Sequence, residues 1–138
     1  MTPALLLADN LREQIAREAR AAFPRECCGL IEGDALRVAA LHPARNISED
    51  ADRFEIDPAD HFRALRMARA NGRAIIGCYH SHPNGRAEPS ARDGDGEDGF
   101  LWLIAAISGD AVSLNAFQRL GYRWQSLAIA PQPAENTA

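Results

Sequence analysis

The sequence has no lysine. All 15 basic residues are arginine, against 19 Asp and Glu, for a formal net charge of −4. With so many alanines beside them, codon bias is the simplest account. The arginines are scattered and never form a run of five or more. A nucleic-acid or anionic-membrane partner therefore has little electrostatic support. No apolar run approaches the roughly 20 residues a bilayer span requires. The segment Met1 to Asn10 has no basic residue ahead of its short apolar stretch, so no secretory signal is expected. Cysteine is scarce: only Cys27, Cys28 and Cys78 occur. An odd count without a signal points to a reducing, cytoplasmic setting and free thiols.

What is present suits one folded domain. The chain has 138 residues, 46% of them apolar and 25% charged. That length supports one core, and that apolar content excludes disorder of the whole chain. Residues 1–130 are expected to form the domain and 131–138 a frayed tail. Leu11, Ile15, Ala19 and Ala22 recur at helical spacing after Asp9, an expected N-cap, and Pro24 ends the helix. Cys27 to Glu32 and Ala35 to Leu41 read as a hairpin turning at Gly33-Asp34. Phe54 to Ile56 is a short strand candidate. Asp57-Pro58 starts a second helix with Phe62, Leu65 and Ala68 as its apolar face, and Asn71-Gly72 stops it. Ala74 to His82 is a strand, and residues 83–99 form a long loop. Phe100 to Ile107, Val112 to Leu120 and Tyr122 to Ile129 follow as strands. This order predicts a mixed α/β (α+β) domain.

The informative stretch is His80-Ser81-His82-Pro83. Residues i and i+2 of a strand share a face, with Cβ atoms roughly 7 Å apart. Two imidazoles there can tilt onto one metal, with Zn–N bonds of about 2.0–2.1 Å. They can equally be solvated residues at a strand end. After seven intervening residues comes Ser90, and after two more Asp93, a carboxylate available as a third ligand. Two His, one carboxylate and an open position make a catalytic zinc set, where a structural site takes four protein ligands. Ser90-x-x-Asp93 also reads as a variant capping box. Glu26, just after Arg25, is by itself most simply a solvated surface charge. The acidic run Asp93 to Asp98 fails as a calcium loop, with Asp98 in place of the sixth-position Gly and Ile104 in place of the twelfth-position Glu. The loop 94–99 reads as solvated or substrate-facing.

Taken together, Glu26 and His80-x-His82-x7-Ser90-x2-Asp93 resemble the signature of the JAMM, or MPN-plus, metalloproteases, with no spacing error. Pro24-x-Glu26-Cys27-Cys28-Gly29-Leu30-Ile31 and Leu101-Trp102-Leu103-Ile104 resemble strands of the compact prokaryotic members. The resemblance spans roughly residues 4 to 125. It implies a cytidine-deaminase-like MPN fold, a central mixed sheet flanked by helices. It implies one zinc ion held by His80, His82 and Asp93, with a water in the fourth position. Glu26 would hold that water, accept its proton and pass it to the leaving amine. Ser90 would donate a hydrogen bond to the developing oxyanion. In many members the segment after the metal Asp is a helix. Here Gly94 to Gly99 is a poor helix former.

The expected function is a zinc-dependent peptidase or isopeptidase in the cytoplasm. Its substrates would be the C-terminal tails of ubiquitin-like or sulfur-carrier proteins, cleaved after the terminal Gly. Sulfur carriers are favoured because the domain stands alone. An exposed strand edge could take such a tail by β-addition. The alternatives are a non-catalytic MPN-type scaffold, which a missing ligand would mark, and a RadC-like metallohydrolase, which the acidic pI disfavours. Cys78 shares the histidine face as a buried thiol, together with Ala74 and Ile76. His42 and His61 read as surface residues, and Arg63, Arg66, Arg69 and Arg73 as a solvated helix face. Trp102 and Trp124 read as core or groove lining.

Overall fold

A computed structural model describes residues 3–89 and 98–132. Among them the chain forms seven strands and two helices. Helix α1, Asp9–Ala22, buries Ile15 and Ala19, with Leu11 and Ala22 packed beside them as their spacing requires. Ala8 occupies the cap position and makes no side-chain cap bond. Asp9 is the first helical residue, where its charge meets the positive helix end. The residues ahead of the helix form a short strand, β1, Ala4–Leu6, that periodicity did not reveal.

Strands β2, Cys28–Asp34, and β3, Arg37–Ala44, pair as the expected hairpin. Its turn is Ala35-Leu36, not Gly33-Asp34, since Asp34 pairs with Arg37. Gly33 serves a different need. It lies at a bulge between Glu32 and Gly33, where a Cβ would meet the Arg37 carbonyl. The Phe54–Ile56 segment contributes one isolated bridge, Asn46 to Ile56, and no strand.

Helix α2, Pro58–Ala70, starts where Asp57 accepts a hydrogen bond from the Ala59 amide at 2.9 Å. It stops before Asn71 and Gly72, which has φ +70°. Its buried residues are Ala64 and Ala68. Phe62 and Leu65, expected on the core face, are 63% and 46% exposed. The two small residues, one turn apart, form the face packed toward the sheet, and the large ones point away.

Strands β4, Ala74–His82, β5, Leu101–Ser108, β6, Ala111–Leu120, and β7, Arg123–Ala130, complete the sheet. The strand order is β1-β3-β2-β4-β5-β6-β7, closed because β1 pairs in parallel with both β3 and β7. The β4–β5 pair is also parallel and the rest are antiparallel. One face packs on α1 through the larger cluster, which includes Ile15, Ile31, Tyr79 and Leu103. The other meets α2 through Leu30, Ala64, Cys78 and Trp102. A bulge in β4 leaves Ile76 without a partner, between Ile75 opposite Glu32 and Gly77 opposite Ile31. Ile76 therefore turns to the α1 side, and Ile75 joins Cys78 on the histidine side. Simple alternation had placed Ile76 there; the extra residue shifts the phase.

Gly29 faces Tyr79 across the β2–β4 ladder, and a Cβ on it would overlap the tyrosine ring. Tyr79 is fully buried and donates from its hydroxyl to Glu18 at 2.8 Å, so the ring cannot move aside freely. Gly29→Ala should destabilise the fold by about 1–3 kcal/mol, read by denaturant unfolding. A wild-type midpoint would show that the Tyr79 ring moves aside freely.

Glu32 is fully buried and accepts hydrogen bonds from His42 at 2.9 Å, Asn71 at 3.2 Å and Arg73 at 3.1 Å. Thus His42 and Arg73, expected at the surface, tie the β2–β3 hairpin to the end of α2. Burial pushes the Glu32 carboxyl up, and the bonds from His42, Arg73 and Asn71 outweigh it, holding it below the usual carboxylate value. A lowered folded value means stability that is full above the unfolded value, about 4.3, and lost as pH falls through the folded one. Glu32→Gln should cost about 2 kcal/mol near neutrality. That cost should shrink below about pH 4, as the wild-type carboxyl protonates. Melting temperatures of both proteins across pH check this; a constant difference down to pH 3 would contradict it.

No described helix is long and apolar enough to cross a membrane.

Candidate metal centre

The two histidines close strand β4. His80 lies between Cys28 of β2 and Ile104 of β5, so neighbours on both sides hold its backbone. Both side chains are buried. Their Nε2 atoms face each other at 3.1 Å. Two nitrogens bound tetrahedrally to one zinc would lie about 3.3 Å apart, from bond lengths near 2.0–2.1 Å. The pair is thus set at close to the spacing a shared ion imposes.

Second contacts orient both rings. His82 Nδ1 donates to the Arg86 carbonyl at 2.9 Å. A carbonyl can only accept, so the proton sits on Nδ1 and the neutral ring turns its Nε2 lone pair toward His80 Nε2. His80 stacks on Phe54, with centroids 4.4 Å apart and planes 20° apart, and meets Trp102 edge-on at 5.0 Å. Trp102 is buried and packs in turn on Trp124 at 4.6 Å. Trp102 and Trp124 therefore line the back of the site.

Glu26 is the third member. It lies on the link from α1 to β2 and is only 4% exposed, so the reading of it as a solvated surface charge is corrected. Donor atoms of Glu26, His80 and His82 all lie within 4.8 Å of one another. A buried carboxylate beside two imidazole nitrogens fits a divalent ion, which would offset the cost of burying the charge. A cleft of about 440 Å³ opens beside Glu26, between Ala22 at the end of α1 and the Ala44–Asn46 corner. Ser90 and Asp93 lie outside the described residues, as do positions 94–97 of the acidic loop and the tail from 133.

The three cysteines are buried and form no disulfide. Burial pushes the Cys27 thiol up to about 11 and the Cys28 thiol up to about 12. Both remain protonated and poorly nucleophilic at neutral pH. Cys78 is buried in the α2-side cluster, as expected of a packing thiol.

Sequence reasoning missed three contributors. Asn46 donates to the Glu26 carbonyl at 3.0 Å. Phe54 supplies the stacking surface for His80, and the Arg86 carbonyl orients His82. Asn46 and Phe54 sit in an irregular segment with no motif, and the Arg86 contact is made by backbone. Only the Asn in a non-helical stretch hinted at a hydrogen-bonding corner.

A family model described as prokaryotic homologues of the JAB domain matches residues 8–120. The chain belongs to that family. It is 32% identical to a desampylase of Haloferax volcanii over 135 residues, covering 91% of this chain and 95% of that one. It is 33% identical over 88 residues to a probable TtuB-protein conjugate cleaving protease of Thermus thermophilus, covering 63% of this chain and 56% of that one. The fold is like that of a JAB1/MPN domain protein of Archaeoglobus fulgidus, with a TM-score of 0.56, 19% identity, and 92% and 97% of the two chains covered. The expected mixed α/β JAMM/MPN fold stands. The family and the desampylase likeness, not the fold, carry the enzyme class: this JAB-family chain is a hydrolase.

Proposed function

We propose that the protein is a zinc-dependent peptidase or isopeptidase that cleaves after the C-terminal Gly of a ubiquitin-like or sulfur-carrier protein. The observation that carries this is the convergence of buried Glu26 on two facing imidazole nitrogens. Relatives named for desampylation and for cleaving a TtuB-protein conjugate support the substrate class.

In this reading His80, His82 and Asp93 hold one zinc ion. When bound, the zinc supplies a Lewis acid and makes a water acidic enough to attack near neutral pH. Glu26 takes the proton of that water and returns it to the leaving amine. Its burial keeps the carboxylate close to the reacting atoms and away from competing solvent. Ser90 donates a hydrogen bond to the oxyanion as the carbonyl becomes tetrahedral. Amide hydrolysis needs a nucleophile, a place for negative charge and a proton for the nitrogen, and this set supplies all three. The domain spans residues 1–130. It works in the cytoplasm, where its three buried thiols stay reduced.

The test is intact-mass analysis of ubiquitin-like and sulfur-carrier proteins, each carrying a short extension after its C-terminal Gly. Loss of the extension at that Gly is expected, abolished by chelation and restored by zinc. Equal cleavage by fully metal-free protein would sink the proposal.

A further inference from the structure

The Glu26 carbonyl and the Cys27 amide belong to one peptide group, and two side chains hold it from opposite sides. Asn46 Nδ2 donates to the Glu26 carbonyl at 3.0 Å. The Cys27 amide donates to Ser81 Oγ at 2.8 Å. This peptide precedes β2, which begins at Cys28, so the strand ladder does not satisfy it. A buried peptide outside a ladder must find such partners.

Both partners are tied to the metal centre. Ser81 lies between His80 and His82, is fully buried, and also donates from its own amide to the Cys27 carbonyl at 3.1 Å. Strand alternation turns its side chain away from the histidine face. Asn46 makes three further bonds, each 3.0 Å long. It donates to the Arg53 carbonyl and accepts from the Ser48 and Glu55 amides. It thereby closes the loop that carries Phe54 against His80. Rotation of the Glu26–Cys27 peptide would change the backbone angle at Glu26, the residue whose side chain faces the imidazoles. The two bonds oppose that rotation from both ends.

We infer that Asn46 and Ser81 are positioning residues that jointly fix the Glu26 carboxylate against the histidine pair. Neither touches the reacting atoms. The inference rests on the reading of Glu26 as the proton carrier. A displacement of about 1 Å in a reacting group can cost on the order of 10²-fold in rate.

Two variants separate positioning from folding. Ser81→Ala removes the acceptor of the Cys27 amide with little change in volume. Asn46→Asp keeps the oxygen that accepts from Ser48 and Glu55 and loses the donor to the Glu26 and Arg53 carbonyls. The probe is a ubiquitin-like protein extended by a short peptide after its terminal Gly. Both variants should retain wild-type zinc content, lose about 10–100-fold in kcat, and change KM by less than about threefold. Ser81→Thr, which keeps the hydroxyl, should recover most of the loss. In the metal-free protein, exchange of the Cys27 amide by NMR should be slow, and about tenfold faster in Ser81→Ala. Wild-type kcat in both variants beside an inactive Glu26→Gln would overturn the positioning role alone. Unchanged Cys27 exchange in Ser81→Ala would also overturn it. Full turnover by Glu26→Gln would instead overturn the reading of Glu26.

Discussion

Glu26→Gln should lower turnover by about 10²–10⁴-fold and leave zinc content at the wild-type level. Gln is nearly isosteric with Glu and can still hydrogen-bond to a water. It cannot take a proton at neutral pH. The side chain is 4% exposed, so an isostere is required: a smaller residue would open a cavity and confuse packing with chemistry. His80 and His82 keep their Nε2 atoms in place, since β2 and β5 hold the backbone of His80 and β5 that of His82. Metal analysis and single-turnover cleavage of the Gly-extended substrate, run on the same preparation, give both readings. A Gln variant that cleaves at the wild-type rate would remove Glu26 from the reaction.

His82→Ala should give the complementary result, with zinc and activity lost together. The substitution deletes one of the two facing nitrogens and the bond from Nδ1 to the Arg86 carbonyl. Loss of an orienting partner alone typically costs about 10–100-fold in metal affinity, so loss of the ligand should exceed 100-fold. Competition with a chromophoric chelator measures it. The pair of variants divides the site by role. One should keep metal without turnover, and the other should keep neither. Undiminished zinc affinity in His82→Ala would exclude His82 as a ligand.

Much of this was legible in the sequence. Helix α1 followed from an apolar repeat whose Ile15 and Ala19 face the core, and α2 from Asp57-Pro58 and Asn71-Gly72. The histidine strand followed from an apolar run ending in two residues of one face. The failures share a cause. The hairpin turn was misplaced because Gly33 answers a close backbone approach and not a turn. The face of α2 was misread in part because Phe62 and Leu65 were set beside Ala68 on it, where Ala64 belongs. Ile76 was put on the wrong face because a bulge is invisible to alternation. Each depends on a partner strand or helix, which local pattern does not contain.

The division for the site is similar. The chain alone determined which residue types are available: two histidines at strand spacing, the Ser90 and Asp93 positions, and a resemblance that singled out Glu26. Their local chemistry follows from the side chains themselves. Tertiary structure alone decided that Glu26, 54 residues before His80, is buried within 4.8 Å of the imidazole donors. It also decided that His42 and Arg73 serve buried Glu32, and that Asn46 and Ser81 clamp one peptide beside the site. The physical reason is that burial and long-range hydrogen bonding are properties of pairs. A residue carries its own chemistry in the sequence, but acquires its partners only when the sheet closes and brings β2, β3 and β4 side by side.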